Sequence, residues 1–257
     1  MKNEIKNLII KLLYLEYILI IVIKLLKITY NIRKFTTKNK KKYFLIGSNK
    51  TGTTSIAELF RKNGFLVANQ KIGEIIYDKL GENICKKKLF EYIQTADLFQ
   101  DVPFSTSDYY KDIFKKYPNE YYILSLRKSE DTWYKSQKNA FMTYLNFPNG
   151  NKNIINAINL FFYNRKGWLW NRIRDCGGTK KNPIIKKNFI KQYVDRNQSI
   201  RKFFNNYHGF FEVVIDDRHS QKKLINFLKL NKSISFPFEN KNNIIFKKHN
   251  YAHKKNS

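Results

Sequence analysis

Cysteine is nearly absent: the chain holds two, Cys85 and Cys176, and neither stands at a metal-ligand spacing. Two isolated cysteines exclude a disulfide framework and fit a reducing compartment. Acidic residues are also scarce, 20 Asp and Glu against 49 Lys and Arg, which leaves a formal charge of +29. So basic a balance points to an anionic partner: nucleic acid, anionic lipid or a phosphorylated small molecule. Compositional bias is the bland alternative, since Lys, Asn and Ile are abundant along the whole chain. No Cys/His finger and no aromatic-basic RNA-binding strand signature occurs, so no nucleic-acid partner is expected. Histidine is missing from the first 200 residues, because all four (His208, His219, His249, His253) come later. No long charge-free apolar run exists either; the longest in the N-terminal segment, residues 17–23, falls far short of the ~20 residues a membrane span needs. Aromatics, by contrast, are plentiful: 21 Phe and 17 Tyr supply a large core and exclude wholesale disorder. At 257 residues the chain suits one domain of about 200 residues plus an appendage.

The appendage is residues 1–40. Its apolar part, residues 8–30, carries Lys11, Glu16, Lys24 and Lys27. A charge near mid-bilayer costs about 2.5–3.5 kcal/mol, which weakens a span. These charges form no single polar stripe, which weakens an ideal interfacial helix. No small-residue cleavage site follows, which disfavours a secretory signal. A polybasic run, Arg33, Lys34, Lys38, Lys40, Lys41 and Lys42, comes next. Such a run is attracted to an anionic cytoplasmic leaflet. The expectation is a membrane-associating helix and linker, with residues 8–42 on the inner face of the membrane and the domain in the cytoplasm. The alternative is an amphipathic helix packed on the protein's own domain. Asn49-Lys50-Thr51 is a glycosylation sequon inside a functional loop, which also argues against a secretory lumen.

Residues 43–47 (YFLIG) read as a β-strand ending in Gly47. Ser48-Asn49-Lys50-Thr51-Gly52-Thr53-Thr54-Ser55 follows, then Ile56-Ala57-Glu58-Leu59-Phe60 at helical spacing. Strand, loop and helix aim the first helical N–H groups at one point, which suits a phosphate. Thr53 and Thr54 add hydroxyl donors, and Lys50 adds a mobile positive charge. Gly47 and Gly52 match the spacing of the nucleotidase loop GxxxxGK[ST], but Thr53 stands where that loop has Lys. A triphosphate kinase is therefore disfavoured.

A second strand, residues 121–126, ends in Arg127. Ser129 then caps a helix whose first turn carries Glu130 and Asp131. Arg127 at the carboxyl end of a strand lies where open α/β sheets bind ligands. Ser136 sits about two turns into that helix. Trp133 is assigned to the core as the anchor of the helix.

Both motifs resemble the sulfotransferase family, whose donor loop reads roughly PKxGTT or NKTGTTS and whose second motif is a strand, an Arg and a helical Ser. The resemblance covers about residues 41–242, with a basic tail at 243–257. It implies a three-layer α/β fold with a mostly parallel sheet, the nucleotide-kinase-like sulfotransferase fold. It implies 3′-phosphoadenosine 5′-phosphosulfate as co-substrate, no metal, and a hydroxyl or amine acceptor such as a surface glycan or its lipid-linked precursor. The donor loop would be Asn49, Lys50, Thr51, Gly52, Thr53, Thr54 and Ser55. Lys50 would contact the oxygen bridging phosphate and sulfate, and Thr53 and Thr54 the 5′-phosphate. Arg127 and Ser136 would hold the 3′-phosphate, a task that suits the planar guanidinium fork. Many cytosolic members follow the threonines with a Trp that stacks on adenine; here Ser55 stands instead. Those members also carry a catalytic His before an apolar residue and Pro. This chain has Asp101-Val102-Pro103, so Asp101 is the substitute base, or else a structural cap or acceptor-binding group. Similar bacterial members end in a helix YxxHNxxxxxYF, a strand, a helix and FPxxN, an order matched by residues 189–204, 210–215, 222–230 and 236–241. Residues 146–186 are the candidate acceptor-facing lid. The rival readings are a nucleoside or lipid kinase and a non-catalytic basic membrane-surface protein.

Overall fold

Alternation along the strands sorts the core into two faces. In a computed structural model, which describes residues 16–36, 41–78, 82–106, 108–145, 154–163, 167–231 and 236, four strands form one sheet. They are β1 (Tyr43–Leu45), β2 (Leu98–Phe99), β3 (Tyr121–Leu126) and β4 (Phe210–Val214). Side chains two residues apart share a face of a strand. Accordingly Tyr43, Leu45, Leu98, Ile123 and Val213 join one apolar cluster, and Phe44, Ile46, Phe99, Tyr122 and Leu124 join the other.

Helices cover both faces. Helix α2 (Thr53–Lys62) lays Ile56, Ala57, Leu59 and Phe60 on the first cluster, beside Leu224 and Ile225 of the last helix, α10 (Arg218–Phe227). The second cluster is covered by α1 (Glu16–Thr36), α3 (Gln70–Asp78), α4 (Glu82–Tyr92), α5 (Tyr109–Lys116), α6 (Glu130–Tyr144), α7 (Ile154–Leu160), α8 (Trp168–Asp175) and α9 (Lys186–Phe203). The result is the expected three layers. Phe44 is fully buried, with Tyr122, Phe99 and Phe104 rings at 5.2, 5.6 and 5.8 Å. Truncating such a ring to Ala costs about 3–5 kcal/mol.

Every pairing is parallel and the order is β2-β1-β3-β4. The chain leaves β1 toward one edge and leaves β3 toward the other. The crevice between their carboxyl ends is thus a topological switch point, where open parallel sheets bind ligands. Two loops meet there: residues 46–52 after β1 and residues 127–129 after β3.

Most elements fall where the periodicity put them. Ser129 caps α6 as expected, its hydroxyl accepting from the Thr132 N–H at 3.2 Å. Residues 96–104 read in the sequence as a short strand stopping at Pro103; only Leu98 and Phe99 form it. Pairing ends because the chain turns at Asp101, whose φ of +61° lies in the left-handed region and whose carbonyl accepts from the Ser105 N–H at 2.8 Å. Residues 237–241 of the closing motif, the tail 243–257, and residues 146–153 and 164–166 of the lid lie outside the described residues.

Helix α1 has two apolar faces. Leu19, Ile23 and Tyr30 are buried in the core, and the Tyr30 hydroxyl donates to Asp97 Oδ1 at 2.8 Å. Lys42 sits over the Tyr30 ring at 4.7 Å and donates to the Ala96 carbonyl at 2.9 Å. The other face leaves Tyr17, Ile21, Leu25, Ile28, Ile32 and Phe35 exposed. No helix among the described residues is long and apolar enough to cross a membrane. Residues 8–15, Lys38 and Lys40 lie outside the described residues.

Candidate active site

The loop after β1 is held by its neighbours rather than by itself. Thr51 is fully buried; its hydroxyl reaches the Ser48 carbonyl and Ser125 Oγ, both at 2.6 Å. Thr51 therefore ties the loop to β3 and does not face a ligand. The Trp133 indole N–H donates to the Asn49 carbonyl at 2.9 Å, and Ser105 Oγ donates to Asn49 Oδ1. Arg127 Nε donates to the Lys50 carbonyl at 2.9 Å. Held in this way, Lys50 adopts φ +67°, a left-handed conformation uncommon for a long side chain.

Gly52 ends the loop at φ +80°, with Ile215 packed where a Cβ would project. It occupies the N-cap of α2, so no side chain caps the first N–H groups of that helix, and its first turn has no acidic residue. With no capping side chain and no acidic residue, the positive end of the helix dipole is unopposed, an arrangement that favours an anion. The hydroxyls of Thr53 and Thr54 make no hydrogen bond among the described residues. Thr54 is exposed, whereas Thr53 and Ser55 are buried.

Across the crevice, Asp101 accepts from Gln70 Nε2 at 2.8 Å and from the Val102 N–H at 3.1 Å. Ser105 Oγ stands 3.4 Å from its Oδ1, so Ser105 links Asp101 to Asn49. Burial pushes the Asp101 carboxyl above its ordinary range, opposed by the charges of Arg172 and Lys50 and by bonds from Val102 and Ser105. Burial also pulls the Lys50 ammonium below its ordinary range; Asp101 opposes that shift and Arg127 adds to it. The two groups thus face each other, and each is brought toward neutral pH.

Arg127, at the end of β3, is engaged on its other side by Asp216 Oδ1 at 2.5 Å. Asp216 Oδ2 also accepts from the Lys128 N–H at 3.2 Å, so this carboxylate fixes the loop after β3. Ser136 lies on α6 one turn beyond Trp133 and makes no hydrogen bond among the described residues. The structure therefore brings together Asn49, Lys50, Asp101 and Arg127 with the start of α2. It turns Thr51 away.

Two residues support this site in ways the sequence reading did not assign to them. Trp133 is buried and stacks on Tyr193, centroids 4.3 Å apart, as a core residue should; its indole N–H also positions the loop. Arg196 is buried on α9 and donates to the Ile46 carbonyl at 2.7 Å and the Phe104 carbonyl at 3.1 Å. It clamps the end of β1 to the Asp101 turn, and burial pulls its guanidinium down to about 10. An Arg spaced between Phe189, Tyr193 and Ile200 on an apolar helical stripe was the available signal. Among the described residues no cluster of His, Cys, Asp and Glu is arranged to hold a metal ion.

Comparison with known proteins agrees with the geometry. A family model described as a sulfotransferase domain matches residues 42–245. No curated protein matches the chain.

Proposed function

We propose that this chain, which belongs to the sulfotransferase domain family, moves a sulfuryl group from 3′-phosphoadenosine 5′-phosphosulfate to a hydroxyl or amine of its acceptor. One observation carries the choice of donor. The start of α2 has no side-chain cap and no acidic residue, the hydroxyls of Thr53 and Thr54 are unengaged among the described residues, and Lys50, in the loop just before them, is under the electrostatic influence of Asp101. The 5′-phosphate rests on the α2 N–H groups with Thr53 and Thr54, and the 3′-phosphate on Arg127 with Ser136. In the reaction the acceptor oxygen or nitrogen bonds to sulfur as the bond from sulfur to the bridging oxygen breaks. Asp101 takes the acceptor's proton, and Lys50 stabilises the charge left on the bridging oxygen. The raised pKa of Asp101 makes it a better base near neutral pH than an ordinary carboxylate.

Thermal unfolding with adenosine 3′,5′-bisphosphate and, separately, with Mg-ATP tests the donor. At a hundredfold excess over Kd, a ligand of the native state adds about 2.7 kcal/mol. For a chain of this size that raises Tm by roughly 5–10 °C. The bisphosphate is expected to do so and Mg-ATP to do much less. Equal or greater stabilisation by Mg-ATP refutes the reading and favours a kinase.

The exposed stripe of α1 supports a position at the membrane surface, with the domain in the cytoplasm. Tyr17, Ile21, Leu25, Ile28, Ile32 and Phe35 recur at helical spacing over five turns, and Lys24, Lys27, Lys34 and Lys41 lie on or beside the same helix. Apolar area plus positive charge matches an anionic bilayer, in whose interface such a helix lies flat. Co-sedimentation with phosphatidylserine/phosphatidylcholine vesicles is expected for the wild type, and loss of it for Ile28→Lys with Ile32→Lys. Wild-type protein that stays in the supernatant at physiological salt removes the membrane from the account.

A further inference from the structure

Beside the donor loop lies a cavity of about 60 Å³, lined by Asn49 and Lys50 on one side and by Arg172 and Asp175 of α8 on another. By the ~10–15 Å³ that one water needs, it accommodates a small functional group. Arg172 is 5% exposed, and none of Nε, Nη1 and Nη2 has a hydrogen-bond partner among the described residues. Its only ion pair there is with Asp175, Nη2 to Oδ2 at 3.1 Å, without hydrogen-bond geometry. The guanidinium carbon lies over the Tyr77 ring, 4.3 Å from its centroid, and the Tyr77 hydroxyl donates to Asp175 Oδ1 at 3.2 Å. A rigid, desolvated fork with unused donors, opening on a cavity, is the recognition element for a planar or tetrahedral oxyanion.

Its position relative to the donor decides which oxyanion. Arg127 donates to the Lys50 carbonyl, Ser105 links Asn49 to Asp101, Gln70 of α3 donates to Asp101, and Arg172 lies over Tyr77 of that same helix. Arg172 thus stands with α3, the helix bonded to Asp101, and shares the cavity with Asn49 and Lys50, whereas Arg127 holds the donor loop from β3 and does not line that cavity. From the unbonded guanidinium of Arg172 in this cavity we infer that the acceptor carries an acidic group, a carboxylate or phosphate-type oxyanion, which Arg172 holds while the reacting hydroxyl sits at Asp101. This rests on the sulfotransferase reading above and names the acceptor class for it. Asp175 is the internal counter-ion of Arg172, so an incoming anion competes with it. In this assignment Arg172 is a specificity residue for the acceptor, and donor affinity does not depend on it.

Calorimetry with matched small probes tests this, with and without saturating adenosine 3′,5′-bisphosphate: glucuronate against glucose, and glucose 6-phosphate against glucose. At least one acidic member is expected to bind about tenfold or more tighter than glucose, the worth of one charge-assisted pair. Arg172→Lys keeps the charge but loses the fork; it is expected to remove about tenfold of that preference and leave bisphosphate affinity unchanged. Asp175→Asn, which keeps an acceptor for Tyr77, is expected to tighten acidic probes severalfold, a gain that a purely structural role would not give. The inference is overturned if neither acidic probe outbinds glucose at millimolar concentration, if Arg172→Lys retains the preference, or if that variant loses bisphosphate affinity. Should Arg172→Lys fail to fold, the wild-type preference and the Asp175→Asn gain decide alone. Wild-type protein that binds no bisphosphate defeats the donor reading instead, a different and separately visible failure.

Discussion

Replacing Asp101 by Asn separates the base from its surroundings more cleanly than any other change at the site. Asn tolerates the φ of +61° as readily as Asp, so the turn survives. Its carbonyl oxygen can still accept from the Val102 N–H and Ser105, now 3.1 and 3.4 Å from Oδ1. The loss falls on Gln70, whose Nε2 donates to Oδ2 at 2.8 Å and would meet an NH₂ group instead. That forfeits one charge-assisted hydrogen bond, about 1.5–3 kcal/mol. Relief from burying a carboxylate, the main cause of its raised pKa, offsets part of it. Net stability should therefore shift by no more than about 1–2 kcal/mol, while turnover falls by about 10²–10⁴. Bisphosphate affinity should hold or rise slightly, because one negative charge near the phosphate site is gone. The assay is transfer from radiolabelled donor to any acceptor the wild type sulfates, with bisphosphate affinity measured alongside. The wild-type rate should also fall on acidification at a pH above the ordinary carboxylate range, and the variant should lack that limb. Near-normal turnover in Asp101→Asn would move the base elsewhere, with Glu74 or Asp97 next to examine.

Lys50→Ala should weaken donor binding and also lower turnover at saturating donor, since its charge is needed most as the bridging oxygen becomes negative; unchanged turnover at saturation would reduce Lys50 to a binding residue. Arg127→Ala should cost roughly tenfold to a hundredfold in affinity for adenosine 3′,5′-bisphosphate and little for adenosine 5′-phosphate, because one charge-assisted bond is at stake; equal losses would show that Arg127 does not read the 3′ position. Lys42, buried beneath Tyr30, has its pKa pulled down to about 8 by burial from an ordinary 10.5. Between those values the folded chain holds fewer protons than the unfolded one, so stability should rise with pH by at most about 3 kcal/mol, and Lys42→Met should abolish the rise; denaturant midpoints across that range provide the check.

What the sequence disclosed follows from which interactions are local. Strand β3 and the Ser129 cap were legible because periodicity and one hydroxyl determine them. The phosphate loop was legible because a glycine pair at fixed spacing between an apolar strand and an amphipathic helix constrains the backbone itself. Even there, the order of residues did not say which side chains face the ligand. Thr51 and Thr53 sit two positions apart in the same motif, yet Thr51 is spent on Ser125, a residue 74 positions away. Strand β2 was overextended for a related reason. The sequence reading stopped the strand at Pro103, but a left-handed Asp101, its carboxylate bonded to Gln70 and its carbonyl to the Ser105 N–H, ends the pairing earlier.

The charged residues of the crevice were the least legible, and the reason is physical. A helical pattern reports the mean polarity of a face, and one Arg among Phe and Tyr barely alters it. Arg196 and Arg172 both lie on faces that are otherwise apolar, α9 and α8. Burying a guanidinium among aromatics costs several kcal/mol unless it is answered by hydrogen bonds or charge. For Arg196 the answer is two backbone carbonyls, and the result is a clamp that fixes the Asp101 turn against β1. For Arg172 the answer within the chain is incomplete: a single carboxylate contact and a tyrosine face, with no hydrogen bond among the described residues. The same residue type in two similar burial environments thus supports two different roles: both Nη groups of Arg196 are used and only its Nε is not, whereas no donor of Arg172 is. A buried Arg with both Nη groups engaged holds the fold together. One with its donors open beside a proposed catalytic base is placed to be completed by substrate, and for that reason Arg172 carries the inference about the acceptor while Arg196 carries none.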